Sequence, residues 1–202
     1  MHGKPTGSQT PLNTAEEIRL ITEAKHGDHA SFENLVDRFM GRAMSVAMSY
    51  VGNREDALDL SQEAFYRVYK NLDRFREGEP FAPWFFRILR NACLNYLQKR
   101  RRRRSFSIHA RDDSEGDFPL PDESSDPTAP TESREAQKQL WDGIEKLSVA
   151  HREIIWLRHF EDMDYATIAE VLEIPIGTVM SRLFHARQKL KAALTPYMES
   201  PQ

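Results

Sequence analysis

The sequence has little cysteine and no long apolar run. Cys93 is the single cysteine among 202 residues, so the chain cannot form an intramolecular disulfide, which suits a reducing compartment. No stretch approaches the roughly 20 apolar residues of a membrane span, and the N-terminus lacks the apolar core of a secretory signal. We therefore expect a cytoplasmic protein without membrane insertion.

The charges nearly balance, but they are segregated along the chain. The sequence contains 28 Lys and Arg and 31 Asp and Glu, which gives a formal net charge of −3. Residues 99–104 are consecutive cations, whereas residues 112–132 are acidic and contain prolines. The net charge therefore does not indicate whether the protein binds nucleic acid, whereas the local basic run is suited to contact with phosphate groups.

Three stretches lack the periodicity of a folded element. Residues 1–13 carry Gly, Pro, Ser and Thr, and we expect them to be disordered. Residues 105–133 combine acidic residues with prolines, which predicts a flexible acidic linker, and residues 198–202 form a short tail. Elsewhere apolar residues recur every three or four positions. The sequence therefore predicts an all-α protein with two small helical domains, residues 14–104 and 134–197.

The N-terminal domain is predicted to contain four helices. The first begins near Thr14 and ends at Gly27, and the second ends close to Gly52. A third helix covers residues 54–72, and a loop that contains glycine and prolines follows over residues 73–83. The fourth helix begins at Trp84 and continues into the basic run.

The third helix has two contrasting faces. One side is apolar, while Asp56, Asp59 and Glu63 fall within a sector of about 60° on the other side. This pattern is typical of a solvated helix surface. It also suits a docking site for a basic partner, which would relieve the repulsion among the carboxylates. A divalent-cation site is a third interpretation, but it lacks a His or a fourth acidic ligand.

The fourth helix carries an aromatic residue followed by amide and cationic side chains. At helical spacing, Trp84, Arg87, Asn91 and Asn95 share one side and lead into the cations that begin at Lys99. An aromatic ring can stack on unpaired bases, amides can pair with base edges, and arginines neutralise phosphates. The pattern indicates single-stranded or melted nucleic acid, and a core position for Trp84 is the alternative.

The C-terminal domain ends in a predicted helix-turn-helix over residues 164–194. Asp164 caps a short first helix, and Pro175 lies in the first turn of the second. The apolar stripe of the second helix is predicted to consist of Ile176, Val179, Leu183, Ala186, Leu190 and Leu194. Its opposite side carries Thr178, Ser181, Phe184, His185 and Gln188, with Arg182 at the edge of this side. Such a face can enter the DNA major groove, although ordinary helical bundles show the same pattern.

Three segments together resemble the bacterial extracytoplasmic-function sigma factors. They are DALDLSQEAFYRVYKNL at residues 56–72, FAPWFFRILRNACLNYLQKRRRRR at residues 81–104, and residues 147–190, which end in PIGTVMSRLFHARQKL. They occur in the order that the family has, and the resemblance covers residues 31–194. It implies an all-α protein whose two domains, sigma region 2 and sigma region 4, are joined by a linker.

The resemblance also implies roles for particular residues. The expected contacts with the β′ clamp helices of RNA polymerase are Asp56, Asp59, Gln62 and Glu63. The expected contacts with the −10 promoter element are Phe75, Phe81, Trp84, Arg87, Asn91, Asn95, Lys99, Arg100 and Arg101. The expected contacts with the −35 promoter element are Thr178, Ser181, Arg182, Phe184, His185 and Arg187.

Four positions depart from the family pattern. Met180 stands where Lys or Arg is common and His185 where Arg is frequent, so we expect an unusual −35 preference. Helical placement predicts that Met180 lies off the groove-facing side. Ser148 and Thr167 replace the usual Pro and Glu, and neither change threatens the fold.

The expected function is to bind core RNA polymerase, at its β′ clamp helices and β flap, and to direct promoter-specific initiation. We expect no enzymatic activity, cofactor or metal, because no catalytic triad, nucleotide-binding glycine loop or metal-ligand spacing is present. An anti-sigma factor is an expected further partner. The alternatives are a self-sufficient regulator that dimerises on palindromic DNA, and a metal-dependent nucleic-acid enzyme that uses the three carboxylates.

Overall fold

The computed structural model describes residues 14–106 and 139–198, and all regular secondary structure in these two ranges is helical. The first range contains α1 (Thr14–Lys25), α2 (His29–Val51), α3 (Arg54–Lys70), a 3-10 turn (Leu72–Arg74) and α4 (Phe81–Phe106). The second range contains α5 (residues 139–145), α6 (Val149–His159), α7 (Tyr165–Leu172) and α8 (Ile176–Met198). The predicted all-α class is confirmed.

Two helices extend past the predicted domain ends. Helix α4 continues to Phe106, inside the predicted linker, and α8 includes Met198, the first residue of the predicted tail. The predicted disordered N-terminus, residues 107–133 of the linker and residues 199–202 of the tail lie outside the described residues. The linker therefore stays a prediction.

Aromatic rings hold α1 to α4 around a common core. Phe39 of α2 meets Phe81 and Phe85 of α4 edge to face, with ring centroids 4.8 Å and 5.6 Å away. Phe65 of α3 lies 4.6 Å from Phe85. Pairs of this kind contribute about 0.5–1.5 kcal/mol each beyond the burial of their area. The core thus fixes which side of α3 and which side of α4 remain at the surface.

Helix α4 begins at Phe81, so the predicted start at Trp84 and the predicted loop up to Pro83 are wrong by about one turn. Pro83 lies in the first turn, where backbone N–H groups have no acceptor within the helix, so its missing N–H removes no bond. The buried ring of Phe81 favours this earlier start because it packs against Phe39.

The C-terminal domain combines an aromatic stack with the predicted helix-turn-helix. Trp156 of α6 stacks on Phe160 with ring centroids 4.3 Å apart, and the ring of Trp141 lies 5.6 Å from Phe160. Asp164 Oδ1 accepts a hydrogen bond from the backbone N–H of Thr167 at 2.7 Å, which caps α7 as predicted. Helices α7 and α8 then form the two helices of the motif.

The predicted apolar stripe of α8 is confirmed except at its first residue. Val179, Leu183 and Ala186 are buried, and Leu190 is partly buried. Ile176 is 48% exposed, so its predicted core position is wrong. It lies about 60° around the helix from Val179, at the flank of the stripe rather than at its centre.

The two domains pack against each other. Helices α2 and α4 contact α6 and α7. Phe86 of α4 and Val46 of α2 line this junction together with Trp156, Leu157 and Val171. The domains associate because each buries an apolar surface on the other.

Candidate functional site

Helix α3 presents an acidic ridge, which we define as Asp59, Gln62, Glu63 and Tyr66. All four side chains are exposed, and their spacing places them on one side of the helix. Glu63 also pairs with Arg67 at 2.7 Å. The sequence patterns did not identify Tyr66 as part of this surface. Its position one turn after Gln62 was the signal that could have done so. Tyrosine is enriched at the energetic centres of protein interfaces.

Asp56 lies at the contact between α3 and α4 and is not part of the acidic ridge. Its side chain accepts hydrogen bonds at Oδ2 from Asn53 Nδ2 at 2.6 Å and from the Tyr96 hydroxyl. Burial raises the pKa of Tyr96 to about 12, and the hydrogen bond to Asp56 and its negative charge act in the same direction. Although Asp56 is only half-buried, its carboxylate is thus occupied by contacts within the domain.

The ring of Trp84 rests on two buried phenylalanines. Its centroid lies 5.0 Å from that of Phe75 and 6.3 Å from that of Phe81. These two residues, expected to contact the −10 element, are only 3% and 0% exposed. Lys25 Nζ donates to the carbonyl of Phe75 at 2.9 Å and holds the preceding loop against α1. We therefore correct their role: both pack against Trp84, which is half-buried.

Polar side chains continue along α4 beyond Trp84. Asn91 is half-buried and Asn95 is exposed. Further along the helix, Lys99 and Arg101 are exposed and Arg100 is half-buried. The order is therefore aromatic, amide and cation, as the sequence pattern predicted, on a helix that the core holds in place.

The side chain of Arg87 contacts the C-terminal domain at the domain junction. Its Nη2 donates to the backbone carbonyl of Glu170 on α7 at 3.0 Å. Its Nε is buried and finds no hydrogen-bond partner among the described residues. Arg87 was expected to act beside Trp84 on DNA, but in the docked arrangement its guanidinium contacts the C-terminal domain.

A buried carboxylate, Glu153 of α6, lies at the centre of the junction. Its Oε1 accepts from Arg90 Nε at 2.6 Å and from the hydroxyl of Tyr50. Burial, and then the charge of Glu153, raise the pKa of Tyr50 well above its ordinary value. Burial and the same carboxylate raise the pKa of Cys93 to about 12, which keeps that thiol protonated and unreactive.

A second ion pair crosses the junction at Glu161. Arg42 of α2 donates from Nε to Glu161 Oε1 at 3.1 Å, and Trp156 Nε1 donates to the same oxygen at 3.2 Å. Arg42 Nη1 also lies 4.0 Å from Glu17 Oε1. Sequence reasoning missed these contacts because nothing local marks residues that are so distant in the chain as partners.

Helix α8 displays most of the residues expected to contact the −35 element. Ser181, Phe184 and His185 are exposed, while Thr178 and Arg182 are half-buried. Ser181 Oγ donates to the carbonyl of Thr178 at 3.1 Å. Arg187 is exposed, and it donates from Nε to His159 Nε2 of α6 at 3.3 Å.

Within residues 14–106 and 139–198, no helix combines the length and the apolar character that a membrane span requires. The same two ranges contain no group of His, Cys, Asp and Glu side chains arranged to hold a metal ion.

The sequence matches two family models in the same order as the two domains. Residues 35–103 match Sigma-70 region 2, and residues 137–190 match Sigma-70, region 4. RNA polymerase sigma-H factor of Pseudomonas aeruginosa is 32% identical over 190 residues, covering 93% of this chain and 98% of its own. ECF RNA polymerase sigma-E factor of Escherichia coli K12 is 33% identical over 181 residues, covering 88% and 93%. The chain belongs to the extracytoplasmic-function sigma factors.

A solved structure of a sigma factor agrees with this assignment. The sigma factor RpoE of Bartonella quintana, crystallised with the anti-sigma factor NepR, has a TM-score of 0.65 and 25% identity, covering 81% of this chain and 96% of its own. As a member of the family, this sigma factor is a transcription initiation factor that works with RNA polymerase at specific promoters. Helices α2 to α4 lie in its region 2, and α6 to α8 in its region 4.

Proposed function

We propose that three surfaces of this sigma factor divide the work of initiation. The acidic ridge of α3 binds core RNA polymerase, the exposed side of α4 holds melted DNA at the −10 element, and α8 reads duplex DNA at the −35 element. The observation that carries the proposal is the match to regions 2 and 4 over the two helical domains. Catalysis belongs to the polymerase, and we place the action in the cytoplasm.

The acidic ridge is suited to the β′ clamp helices as a positively charged partner. Asp59 and Glu63 are exposed carboxylates one turn apart, and Tyr66 adds an aromatic ring that is 58% exposed at the end of the ridge. Complementary charge steers association, while a buried aromatic ring holds the complex together. Asp56 contributes indirectly by fixing α3 against α4, and the β flap is the proposed second contact, with region 4.

The α4 surface is suited to a melted strand because stacking, amide and cationic groups follow one another. Trp84 offers a ring for a base, which is worth about 1–3 kcal/mol in single-strand binding. Asn91 and Asn95 can hydrogen-bond to base edges, and Lys99 and Arg101 neutralise phosphates. The buried rings of Phe75 and Phe81 pack against the ring of Trp84 and hold it in one orientation.

Promoter binding requires the docked domains to separate. Elements about 25 base pairs apart lie about 85 Å apart along B-DNA. A compact body of about 150 residues is only about 40 Å across. The polar contacts of Glu153 and Glu161 make the junction suited to reversible opening, since water can replace them. We propose that the docked arrangement precedes polymerase binding.

An anti-sigma factor is a proposed regulator of this chain. The matched RpoE structure contains such a protein, and the similarity covers both domains here. A regulator that binds across the junction would hold the domains together and so oppose promoter recognition.

Charge reversal on the ridge tests the polymerase contact. We expect Asp59→Lys with Glu63→Lys to weaken binding to core polymerase by on the order of tenfold or more, measured by fluorescence anisotropy of labelled full-length protein. The matched control is Glu33→Lys with Asp37→Lys, two exposed carboxylates one turn apart on α2. Equal losses in both variants, or no loss in the first, would remove the ridge from the proposal.

A gel shift separates this function from a self-sufficient regulator. The sigma factor should bind promoter DNA weakly alone and strongly once core polymerase is present. Tight binding without polymerase would favour the regulator, and magnesium-dependent cleavage of the probe would favour a nucleic-acid enzyme.

A further inference from the structure

Three large apolar side chains lie exposed in a row on α8. Ile176 is 48% exposed, Met180 is 52% exposed and Phe184 is 59% exposed. They are spaced four residues apart and therefore line one flank of the helix, which we call the apolar ridge. Single exposed apolar residues are ordinary, but a contiguous row marks a surface that meets something else.

Within residues 14–106 and 139–198, no part of the fold covers this ridge. Val179, Leu183 and Ala186 fill the core side of α8, and the ridge lies about 60–140° around the helix from Val179. Gly177 separates the ridge from Ser181, and a Cβ added there would meet no atom within 4 Å. The ridge and the polar residues Ser181 and His185 thus form two halves of one open face.

The charge around the ridge identifies the kind of partner. Helix α8 carries Arg182, Arg187, Lys189 and Lys191 and contains neither Asp nor Glu. The pKa of His151, which packs beside α8, is lowered by partial burial and then by the charges of Lys189, His185 and Arg182. Because the apolar ridge lies among cationic side chains, its expected partner is a polyanion that also presents apolar groups.

Duplex DNA presents one such group in its major groove. The C5 methyl of thymine projects there, and apolar side chains make contact with it. We infer that the apolar ridge reads thymine methyl groups in the −35 element, with Met180 and Phe184 as specificity-determining residues. This inference rests on the proposed function and adds Met180, which helical placement had set aside, to the reading surface.

Helix geometry sets the spacing of the methyl groups. Residues four apart on a helix are about 6 Å apart along its axis. When a helix lies in the major groove, residues three to four positions apart contact successive bases. Met180 and Phe184 therefore reach methyl groups on neighbouring base pairs. Loss of one contact should weaken binding about fourfold, the factor that corresponds to about 0.8 kcal/mol for one buried methylene.

Replacement of thymine by deoxyuridine tests the inference, because it removes only the methyl group. Holoenzyme reconstituted from core polymerase and the full chain first enriches promoters from a library that is randomised upstream. Each thymine of the enriched −35 element is then replaced singly, and holoenzyme affinity is measured. We expect about fourfold losses at two thymines. Met180→Ala should remove the response at one of them and Phe184→Ala at the other.

Ser181→Ala is the matched control on the polar half of the same face. It should lower affinity while both methyl responses persist, and the thermal midpoints of all three variants should stay near that of the parent because these side chains are exposed. Enriched promoters that respond to no deoxyuridine replacement would overturn the inference and leave the proposed function intact. The same holds if Met180→Ala and Phe184→Ala bind DNA normally but lose an acidic protein regulator. A holoenzyme that enriches no promoter would instead overturn the proposed function.

Discussion

Arg90 Nε donates a hydrogen bond to Glu153 Oε1 at 2.6 Å and so joins α4 to α6 across the domain junction. The side chain of Arg90 is only 17% exposed and that of Glu153 only 7%. An intact buried ion pair contributes little net free energy, because the attraction is offset by lost hydration. Removal of one partner, however, leaves the other charge buried and unpaired. The junction is therefore sensitive to single substitutions.

Arg90→Ala is expected to open the junction. The unpaired Glu153 carboxylate should disfavour the docked arrangement by about 3–5 kcal/mol. Small-angle X-ray scattering of the free protein should then give a larger radius of gyration. The emission of Trp156, which lines the junction and is buried, should shift to longer wavelength.

Arg158→Ala is the control for this experiment. It removes an ion pair with Asp162, whose side chain is 93% exposed, and exposed pairs contribute about 0–1 kcal/mol. Its radius of gyration should match that of the parent. If Arg90→Ala scatters like the parent as well, the ion pair does not hold the domains together.

Asp56→Ala should destabilise region 2, whereas Asp59→Ala should not. Asp56 loses hydrogen bonds from Asn53 and Tyr96, which we expect to lower the free energy of unfolding by about 1–3 kcal/mol. Asp59 is exposed, and its loss should act on polymerase binding. Urea unfolding and polymerase affinity, measured on both variants, check this separation. The assignment of Asp56 fails if its variant unfolds like the parent.

Trp84→Ala should impair promoter opening by roughly 5- to 150-fold, since one stacked base is worth about 1–3 kcal/mol. Permanganate footprinting of the −10 element measures opening, and core polymerase affinity should not change. Phe81→Ala provides the contrast: its ring is buried, so it should lower the free energy of unfolding by about 3–5 kcal/mol. Normal opening by Trp84→Ala would exclude the stacking role.

Gly177→Ala should preserve the fold and weaken −35 binding. The added Cβ meets nothing within 4 Å in the free protein, and alanine favours helix by up to about 1 kcal/mol. In the complex the same methyl group enters the space between α8 and the groove. We expect an unchanged or higher thermal midpoint and a lower holoenzyme affinity for promoters that contain the −35 element. Promoters without that element are the control, and an equal loss on them would contradict the explanation.

Region 4 should lose stability as the pH falls below about 6.5. Burial, and then the charges of Arg187 and Arg158, lower the pKa of His159 below its ordinary value of 6.5. The unfolded state therefore binds this proton first, and stability present above pH 6.5 is lost as the pH falls toward the folded pKa. His159→Gln keeps an acceptor for Arg187 without titrating. It should reduce the change in urea midpoint between pH 7.5 and 5.5, and an undiminished change would assign the effect elsewhere.

Sequence patterns predicted those features that depend on neighbours in the chain. The cap at Asp164, the end of α2 at Gly52 and the buried stripe from Val179 to Ala186 all follow from residues within a few turns. The ordered motifs likewise identified the family, because each motif is a local run of residues. Local signals misplaced the start of α4, since Pro83 indicates a loop as readily as a first turn.

By itself, the sequence determined the helices, their amphipathic sides and the family to which the chain belongs, because helix period, caps and motifs are local properties. Only the tertiary structure decided that Asp56 is occupied by Tyr96, that Phe81 packs against Phe39, and that Arg90 meets Glu153 across two domains. It also decided that the apolar ridge stays uncovered by the residues that the structure describes. These relationships depend on distances between residues that are remote in the chain, and such distances exist only once the helices have packed.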